Sequence, residues 1–284
     1  MGVLPYDATR TAVYAPETRD TLFENGVPYS PLQLAIEAAR LAYYRAEEST
    51  AQMQRLSTAL ARAGFPAPVL FVDEATGAVG FGTVRAVDGT ALLALRGTQP
   101  DNISDIAHDL KAYMVPWPES AGRVHAGFAG AIRSILPQIR QWLARTGLQA
   151  SRMIITGHSL GAAMATLLAS VLTPEWLVTM GSPRVGDEDF VRTVKPANSV
   201  RLVDCCDVVT EVPPPIGGYT HLPTCTYLTS EAVVVANPPQ SLIEADRSTA
   251  RQRYLTELSW KIGNVLLRDL ADHAPINYAR AFFV

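Results

Sequence analysis

The sequence is poor in charged residues, which make up 18% of its 284 positions, against about 25% in an average soluble domain. It also lacks a basic excess: 24 Lys and Arg face 27 Asp and Glu, so the net charge is −3. Nucleic-acid binding needs a basic surface that meets the phosphates, and we therefore expect no nucleic-acid partner. The hydrophobic content of 48% excludes a disordered chain and is enough for a large core.

Cysteine is scarce as well. The three cysteines, Cys205, Cys206 and Cys225, form no CxxC pair, so neither a zinc ribbon nor a disulfide-rich mini-protein is expected. An odd count fits a reducing compartment, or a secreted protein with one unpaired thiol. The N-terminus has no basic start followed by an apolar core, so no signal peptide is visible. The sequence therefore leaves the compartment open between a cytoplasmic location and export without a conventional leader.

One apolar run has the length of a membrane span. Residues 153–174 include no Asp, Glu, Lys or Arg. However, the first half of the run contains Thr156, Gly157, His158, Ser159 and Gly161. This composition favours a buried strand, a tight turn and a buried helix, and no transmembrane segment is predicted.

Residues 1–29 are polar and irregular, which predicts a surface-wrapping arm. From Ser30 onward, strand and helix patterns alternate, and this predicts one α/β domain over 30–284 with a mostly parallel sheet flanked by helices. Strands are predicted at 69–72, 79–83, 91–95, 152–156, 176–180, 200–204 and, interrupted, 225–235. Helices are predicted from 30 onward and at 50–63, 129–145, 160–172 and 248–271.

The sharpest motif is Gly157-His158-Ser159-Leu160-Gly161, a G-x-S-x-G sequence between an apolar strand and an apolar helix. In this context the central serine is expected in a strained turn, with its hydroxyl exposed at the carboxyl edge of the sheet. The two glycines leave room where a Cβ would meet neighbouring backbone. The pattern indicates that Ser159 is a nucleophile.

A serine nucleophile needs a general base, and the base needs a carboxylate that orients it. Two histidines follow Ser159 in the chain, His221 and His273, and the position of His273 in the terminal loop favours it. His221 is expected to brace a loop. Among the carboxylates, Asp207 lies on the loop beyond a predicted strand, where an acid faces the nucleophile, and Asp204 is its competitor. Asp187 and Asp189 lie in a polar loop and are expected to be solvated.

Acyl transfer also requires N–H groups that stabilise the oxyanion. One donor is the residue after the nucleophile, which here is Leu160. The other comes from a loop after an earlier strand, and the run 91–95 leads into Arg96-Gly97-Thr98. The backbone of Thr98 is therefore the second predicted donor, while Arg96 is expected to tie loops together by ion pairing.

Taken together, these segments resemble the class 3 lipase family, the fungal-lipase-like branch of the α/β hydrolases. The resemblance rests on an ordered set of motifs between about residues 90 and 280. These are R-G-T at 96–98, D-L at 109–110, V-H-x-G-F at 124–128, G-H-S-L-G at 157–161, T-x-G-S-P-R-V-G at 179–186, D-x-V-x-x-x-P-P at 207–214, Y-x-H at 219–221 and D-H-x-x-x-x-Y at 272–278.

The resemblance implies an α/β-hydrolase fold and a Ser159–Asp207–His273 triad, because it selects Asp207 over Asp204 and His273 over His221. It also implies a lid at about 99–116, whose apolar residues are Ile103, Ile106 and Leu110. Many members carry Trp where this chain has Ile106, and the segment is fairly polar. We therefore expect transient contact with a lipid interface and weak interfacial activation.

The predicted activity is hydrolysis of carboxylic esters, such as acylglycerols or other short- to medium-chain esters, through an acyl-enzyme. No metal or organic cofactor is implied. Two alternatives belong to other functional classes: a non-catalytic binding or signalling protein that kept the fold, and an acyltransferase or phospholipase that uses the same triad.

Overall fold

The computed structural model describes residues 4–98, 113–147 and 152–283. Its strands are β1 (Val69–Asp73), β2 (Ala78–Val84), β3 (Ala91–Leu95), β4 (Met114–Pro116), β5 (Arg123–His125), β6 (Met153–His158), β7 (Trp176–Met180), β8 (Asn198–Asp204), β9 (Thr226–Leu228) and β10 (Val234–Ala236).

The α-helices are α1 (Arg10–Tyr14), α2 (Pro31–Leu41), α3 (Thr50–Arg62), α4 (Ala126–Thr146), α5 (Leu160–Leu172), α6 (Glu188–Val191), α7 (Gln240–Glu257), α8 (Arg268–Ala271) and α9 (Pro275–Ala279). Short 3-10 helices occupy Pro16–Thr18 and Val208–Glu211. In the part of the chain that the structure describes, none of these helices is both long enough and apolar enough to span a membrane.

The central sheet has the order β1-β2-β3-β6-β7-β8-β9-β10. Neighbours from β3 to β9 pair in parallel, whereas β2 and β10 are antiparallel to their neighbours. The predicted α/β class with a mostly parallel sheet is confirmed. Because parallel strands point the same way, the loops after β3, β6, β8 and β9 leave from one edge of the sheet.

Helices cover both faces of this sheet, and β3 shows why its sequence is an unbroken apolar run. Leu92 and Ala94 pack in the cluster under α2 and α3, while Leu93 and Leu95 pack in the cluster under α4 and α5. Alternate residues of a strand point to opposite faces, so a strand covered on both sides has no position for a solvated side chain.

The predicted helix start at Ser30 is confirmed. The Ser30 hydroxyl accepts the backbone N–H of Gln33, and the Gln33 side chain accepts the Ser30 N–H, which completes a capping box. Pro31 occupies the first helical position, where the missing N–H costs nothing. The run at 153–174 also has its predicted form, since it folds as β6, a tight turn and α5.

Three predicted elements need correction. The helix expected at 248–271 is wrong: α7 ends at Glu257, a series of turns follows with Gly263 at φ +91°, and α8 is a separate short helix. The helix expected from residue 129 begins at Ala126, because the His125 side chain accepts N–H groups of its first turn. The interrupted strand at 225–235 consists of β9 and β10, which pair with each other in antiparallel fashion.

The N-terminal segment packs against the rest of the chain and includes α1. Phe23 is fully buried, and Ala12 nearly so. The Asn277 side chain, in α9, donates to the Asp7 carbonyl and accepts the Asp7 N–H. These contacts join the segment to α9.

Candidate active site

Ser159 lies in the turn between β6 and α5, with φ 58° and ψ −127°. Residues other than glycine rarely adopt this backbone conformation, so the strain that the sequence predicts is present. The glycines on either side explain how the turn closes: a Cβ on Gly157 would lie 2.2 Å from the Gly161 carbonyl oxygen, and one on Gly161 would lie 2.1 Å from the Leu95 carbonyl oxygen. Any larger residue at either position would force the turn apart.

The structure brings Ser159, His273 and Asp207 together. The distance from Ser159 Oγ to His273 Nε2 is 3.0 Å, and His273 Nδ1 lies 2.9 Å from Asp207 Oδ2. All three side chains are buried. Asp207 lies just beyond β8, and His273 lies between α8 and α9, so both approach the serine from loops on the same edge of the sheet.

Asp207 is held by more than His273. Its Oδ1 accepts the Val209 N–H at 2.9 Å, and its Oδ2 accepts the hydroxyl of the buried Tyr278. Gly181 leaves the space for this contact, because a Cβ there would lie 2.7 Å from Asp207 Oδ2. These donors fix the position of the buried carboxylate beside His273. Sequence reasoning assigned no role to Tyr278, although it is the final residue of the D-H-x-x-x-x-Y motif.

The competing carboxylates lie elsewhere. Asp204 is buried at the end of β8, and its Oδ2 has no hydrogen-bond partner. Burial, together with the carboxylate of Asp272, raises the pKa of Asp204 well above its ordinary value. Asp187 is half-buried and caps α6 by accepting the Phe190 N–H, so the expectation that it is simply solvated is wrong. Asp189 is exposed and pairs with Arg192.

His221 braces a loop, as the sequence indicated. Its Nε2 donates to the Thr210 carbonyl at 2.8 Å, and the ring is nearly buried beside Arg201. Burial and the charge of Arg201 lower its pKa to about 3. The imidazole is therefore neutral in the folded protein at all moderate pH values.

This depressed pKa has a measurable consequence for stability. An unfolded histidine titrates near about 6.5, so below that pH the unfolded chain binds a proton that folded His221 does not. The free energy of unfolding should thus fall as pH drops from about 6.5 toward 3. In His221→Gln, whose amide can also donate to Thr210, we expect a shallower fall in Tm between about pH 7 and 4. Equal slopes, measured by circular dichroism on both proteins, would contradict the assignment.

The loop after β3 packs directly against the serine turn. A Cβ on Gly97 would lie 2.7 Å from the His158 carbonyl oxygen and 3.1 Å from Ser159 Cβ. Thr98 is the next residue and is exposed, and Leu160 is the first residue of α5, where N–H groups have no intrahelical acceptor. Arg96 forms an ion pair with Glu47, which agrees with its predicted role.

Tyr43 connects this loop to the serine turn. Its hydroxyl lies 2.8 Å from His158 Nδ1, and a Cβ on Gly97 would lie 2.2 Å from the same oxygen. The His158 ring in turn packs against that of His273, with centroids 4.5 Å apart. Burial and the neighbouring His273 lower the pKa of His158 well below its ordinary value. Nothing in the sequence pattern singled out Tyr43.

Asp272 joins three parts of the structure around the triad. Its Oδ1 accepts the Tyr6 hydroxyl at 2.6 Å, and its Oδ2 accepts the Cys206 N–H at 2.9 Å and Arg268 Nε at 3.0 Å. The N-terminal segment, the loop that holds Asp207 and the loop that holds His273 thus share one buried carboxylate. These hydrogen bonds fix the loops that hold Asp207 and His273 relative to each other.

Cys205, Cys206 and Asp272 form the one group among the described residues with a spacing that could suit a metal ion, with atoms within 4.8 Å of one another. The Asp272 oxygens, however, are already engaged by Tyr6, Arg268 and the Cys206 N–H. The hydrogen bonds of this group therefore connect neighbouring segments of the chain.

The lid residues Ile103, Ile106 and Leu110 lie outside the described residues. At the end of the predicted lid segment, Tyr113 is 74% exposed, and Met114–Pro116 form β4, which pairs with β5.

Part of the chain is similar in sequence to known lipases. Residues 92–216 match the model of the family described as lipase (class 3). The chain is 36% identical over 106 residues to a secreted mono- and diacylglycerol lipase of Fusarium solani, an alignment that covers 34% of this chain and 32% of the relative. It is 33% identical over 150 residues to a lipase of Rhizopus oryzae, covering 46% of this chain and 37% of the relative. The alignments thus span about a third of the length of these curated relatives.

The fold extends the likeness beyond the aligned segment. The structure superposes on a lipase from Rhizopus microsporus var. chinensis with a TM-score of 0.61 and 21% identity, covering 96% of this chain and 95% of the other. At this identity the superposition establishes the α/β-hydrolase fold. The family match and the ordered motifs make residues 92–216 similar to the class 3 lipase family, and the superposition extends the similarity of fold to most of the chain.

Proposed function

We propose that this protein is a serine carboxylic-ester hydrolase that cleaves acylglycerols or other short- to medium-chain esters. The observation that supports this most directly is His273, which lies within hydrogen-bond distance of both Ser159 Oγ and Asp207. Such a constellation has one main use, which is to activate a hydroxyl for attack on an acyl carbon.

In this mechanism Ser159 Oγ attacks the ester carbonyl while its proton passes to His273 Nε2. Asp207 holds His273 Nδ1–H and stabilises the imidazolium, and the Tyr278 hydroxyl keeps the carboxylate in place. The backbone N–H groups of Thr98 and Leu160 meet the oxyanion. His273 then protonates the leaving alcohol, takes a proton from water that attacks the acyl-enzyme, and finally returns it to Ser159 as the acid departs.

A fluorophosphonate probe tests the nucleophile. We expect covalent labelling at Ser159, located by peptide mass spectrometry and lost in Ser159→Ala. Hydrolysis rates across p-nitrophenyl esters of rising chain length, a triacylglycerol emulsion and a phospholipid then define the substrate. A folded protein that is neither labelled nor active on any of these esters would favour the non-catalytic binding protein, and ester products formed with added alcohol would favour an acyltransferase.

The polar lid sequence leads to a prediction about interfacial activation. A short, polar lid gains little from contact with oil, since apolar burial contributes only about 25 cal/mol per Å². Ile106 also stands where an amphipathic Trp anchor would suit the water–lipid boundary. We therefore expect activity on dissolved esters, with a rate that rises smoothly with substrate concentration until the enzyme is saturated. A rate that stays near zero until the substrate passes its solubility limit, and then jumps, would contradict this expectation.

A further inference from the structure

Five apolar side chains close together in the sequence are exposed, one in the last turn of α7 and four between α7 and α8, where sequence reasoning placed a continuous helix. Leu255 is 57% exposed, Trp260 70%, Ile262 106%, Leu266 67% and Leu267 53%. We call these five residues the 255–267 patch. An exposure above 100% means that Ile262 projects fully from the surface. Exposed apolar side chains grouped in this way on a soluble surface mark an interaction site.

The backbone beneath the patch is firmly held. The Val265 N–H donates to the Ala8 carbonyl, the Arg10 N–H donates to Gly263, and the buried Tyr254 hydroxyl donates to the Val265 carbonyl at 2.6 Å. Val265 itself is buried. The exposed side chains are therefore presented by an ordered platform with buried anchors.

The patch lies next to α8 in the chain. Leu267 is the N-cap residue of α8, and the chain passes from α8 through Asp272 to His273. Asp272 and Arg268 pack α8 against the loop that holds Asp207. Leu267, at one end of the patch, is thus connected through α8 to the loops that hold Asp207 and His273.

The chemistry of the patch fits a lipid surface. Within 255–267 the charged residues are Lys261 and Glu257, and the Glu257 carboxylate is paired with Arg253. The Trp260 indole N–H already donates to the Thr256 carbonyl at 3.0 Å, so the ring can enter the headgroup boundary without losing a hydrogen bond. Projecting apolar side chains can insert into a fluid lipid layer, because such a layer does not need a preformed cavity of matching shape.

A protein partner fits these observations less well. A standard protein–protein interface uses roughly 20–30 residues on each side, and a patch of five projecting side chains is far smaller. We propose that the 255–267 patch docks this protein on the surface of aggregated lipid, independently of the lid. The inference rests on the proposed function and names the physical form in which the ester substrate is met.

Tryptophan fluorescence tests the docking directly. Of the four tryptophans, Trp117 and Trp142 are buried and Trp176 is half-buried, so Trp260 is the one that is largely exposed. We mix the protein with vesicles of dialkyl ether-linked phosphatidylcholine, which an esterase cannot cleave, and with the same vesicles containing anionic ether lipid. We expect a blue shift in emission that is lost in Trp260→Phe, and binding at least as strong on the anionic vesicles.

Sedimentation with the same vesicles gives a second measure. The triple variant Trp260→Ser, Ile262→Ser and Leu266→Ser should lower vesicle binding by about tenfold or more, because each buried aliphatic or aromatic side chain adds to partitioning. The matched control is Val87→Ser, 86% exposed on the β2–β3 hairpin, which should bind as the unmodified protein does. Equal binding of the triple variant and the parent protein, or a dimer of the parent that the triple variant abolishes, would overturn the proposal.

Hydrolysis of a dissolved p-nitrophenyl ester separates this inference from the proposed function. We expect the triple variant to retain that rate while its rate on a triacylglycerol emulsion falls. An active enzyme with no vesicle binding would refute the docking surface alone. Vesicle binding by a protein without any esterase activity would refute the proposed function and leave the lipid-binding surface standing.

Discussion

Replacing Ser159 with Ala is expected to lower kcat for ester hydrolysis by about three to six orders of magnitude. The hydroxyl is the group that forms the acyl-enzyme, and His273 Nε2 has no other nucleophile to activate at 3.0 Å among the described residues. The oxyanion donors and substrate binding would remain and account for the residual rate. The measurement is kcat and KM on a dissolved ester, with KM changing little.

The fold should survive this substitution. Removal of the Oγ atom does not change the steric demands of the turn at φ 58°, since Ala and Ser both carry a Cβ. Ser170→Ala is a matched control on α5, because the Ser170 hydroxyl contacts Trp117 and the Leu167 carbonyl, away from the triad. We expect it to keep its activity. A folded Ser159→Ala protein with more than about a tenth of the parent kcat would remove Ser159 from the mechanism.

The second large effect is expected at His273. Because base and nucleophile act as a unit, His273→Ala should lose about as much activity as Ser159→Ala, and the double variant should lose little more. The physical reason is that Ser159 Oγ then has no acceptor for its proton, while Asp207 and Tyr278 face an empty space. Single-turnover kinetics with a dissolved ester measure the loss in the acylation step.

His221→Ala is the control for this experiment. The His221 ring is held by the Thr210 carbonyl, near the cis Val212–Pro213 bond, and the structure gives it no contact with Ser159. Its removal should lower Tm, with a modest effect on kcat, because a buried carbonyl loses its donor. If His221→Ala were inactive and His273→Ala active, the base would have been assigned to the wrong histidine.

Some features of the candidate site could be predicted from residues that are neighbours in the sequence. Others depend on contacts between segments that are far apart in the chain. The serine turn could be predicted because its geometry depends on the five consecutive residues 157–161, and glycine is the residue that leaves room at Gly157 and Gly161. The residues alone left Asp204 in competition with Asp207, and the family motif resolved that choice. Tyr43 and Asp272 were not anticipated, because their contacts join segments that are far apart in the chain.

Strand and helix periodicity, capping at Ser30 and the glycine-flanked serine turn all follow from contacts within a few residues, and these local features were enough to predict the α/β class and the nucleophile. The chain between α7 and α8 shows the opposite case. Its apolar residues could equally form the buried face of a longer helix, because periodicity does not distinguish a side chain that meets the core from one that meets solvent. The N-terminal segment forms backbone hydrogen bonds with Gly263 and Val265, so these residues do not continue the helix. That long-range pairing, which arises only when the whole chain has folded, decides that Trp260 and Ile262 are exposed.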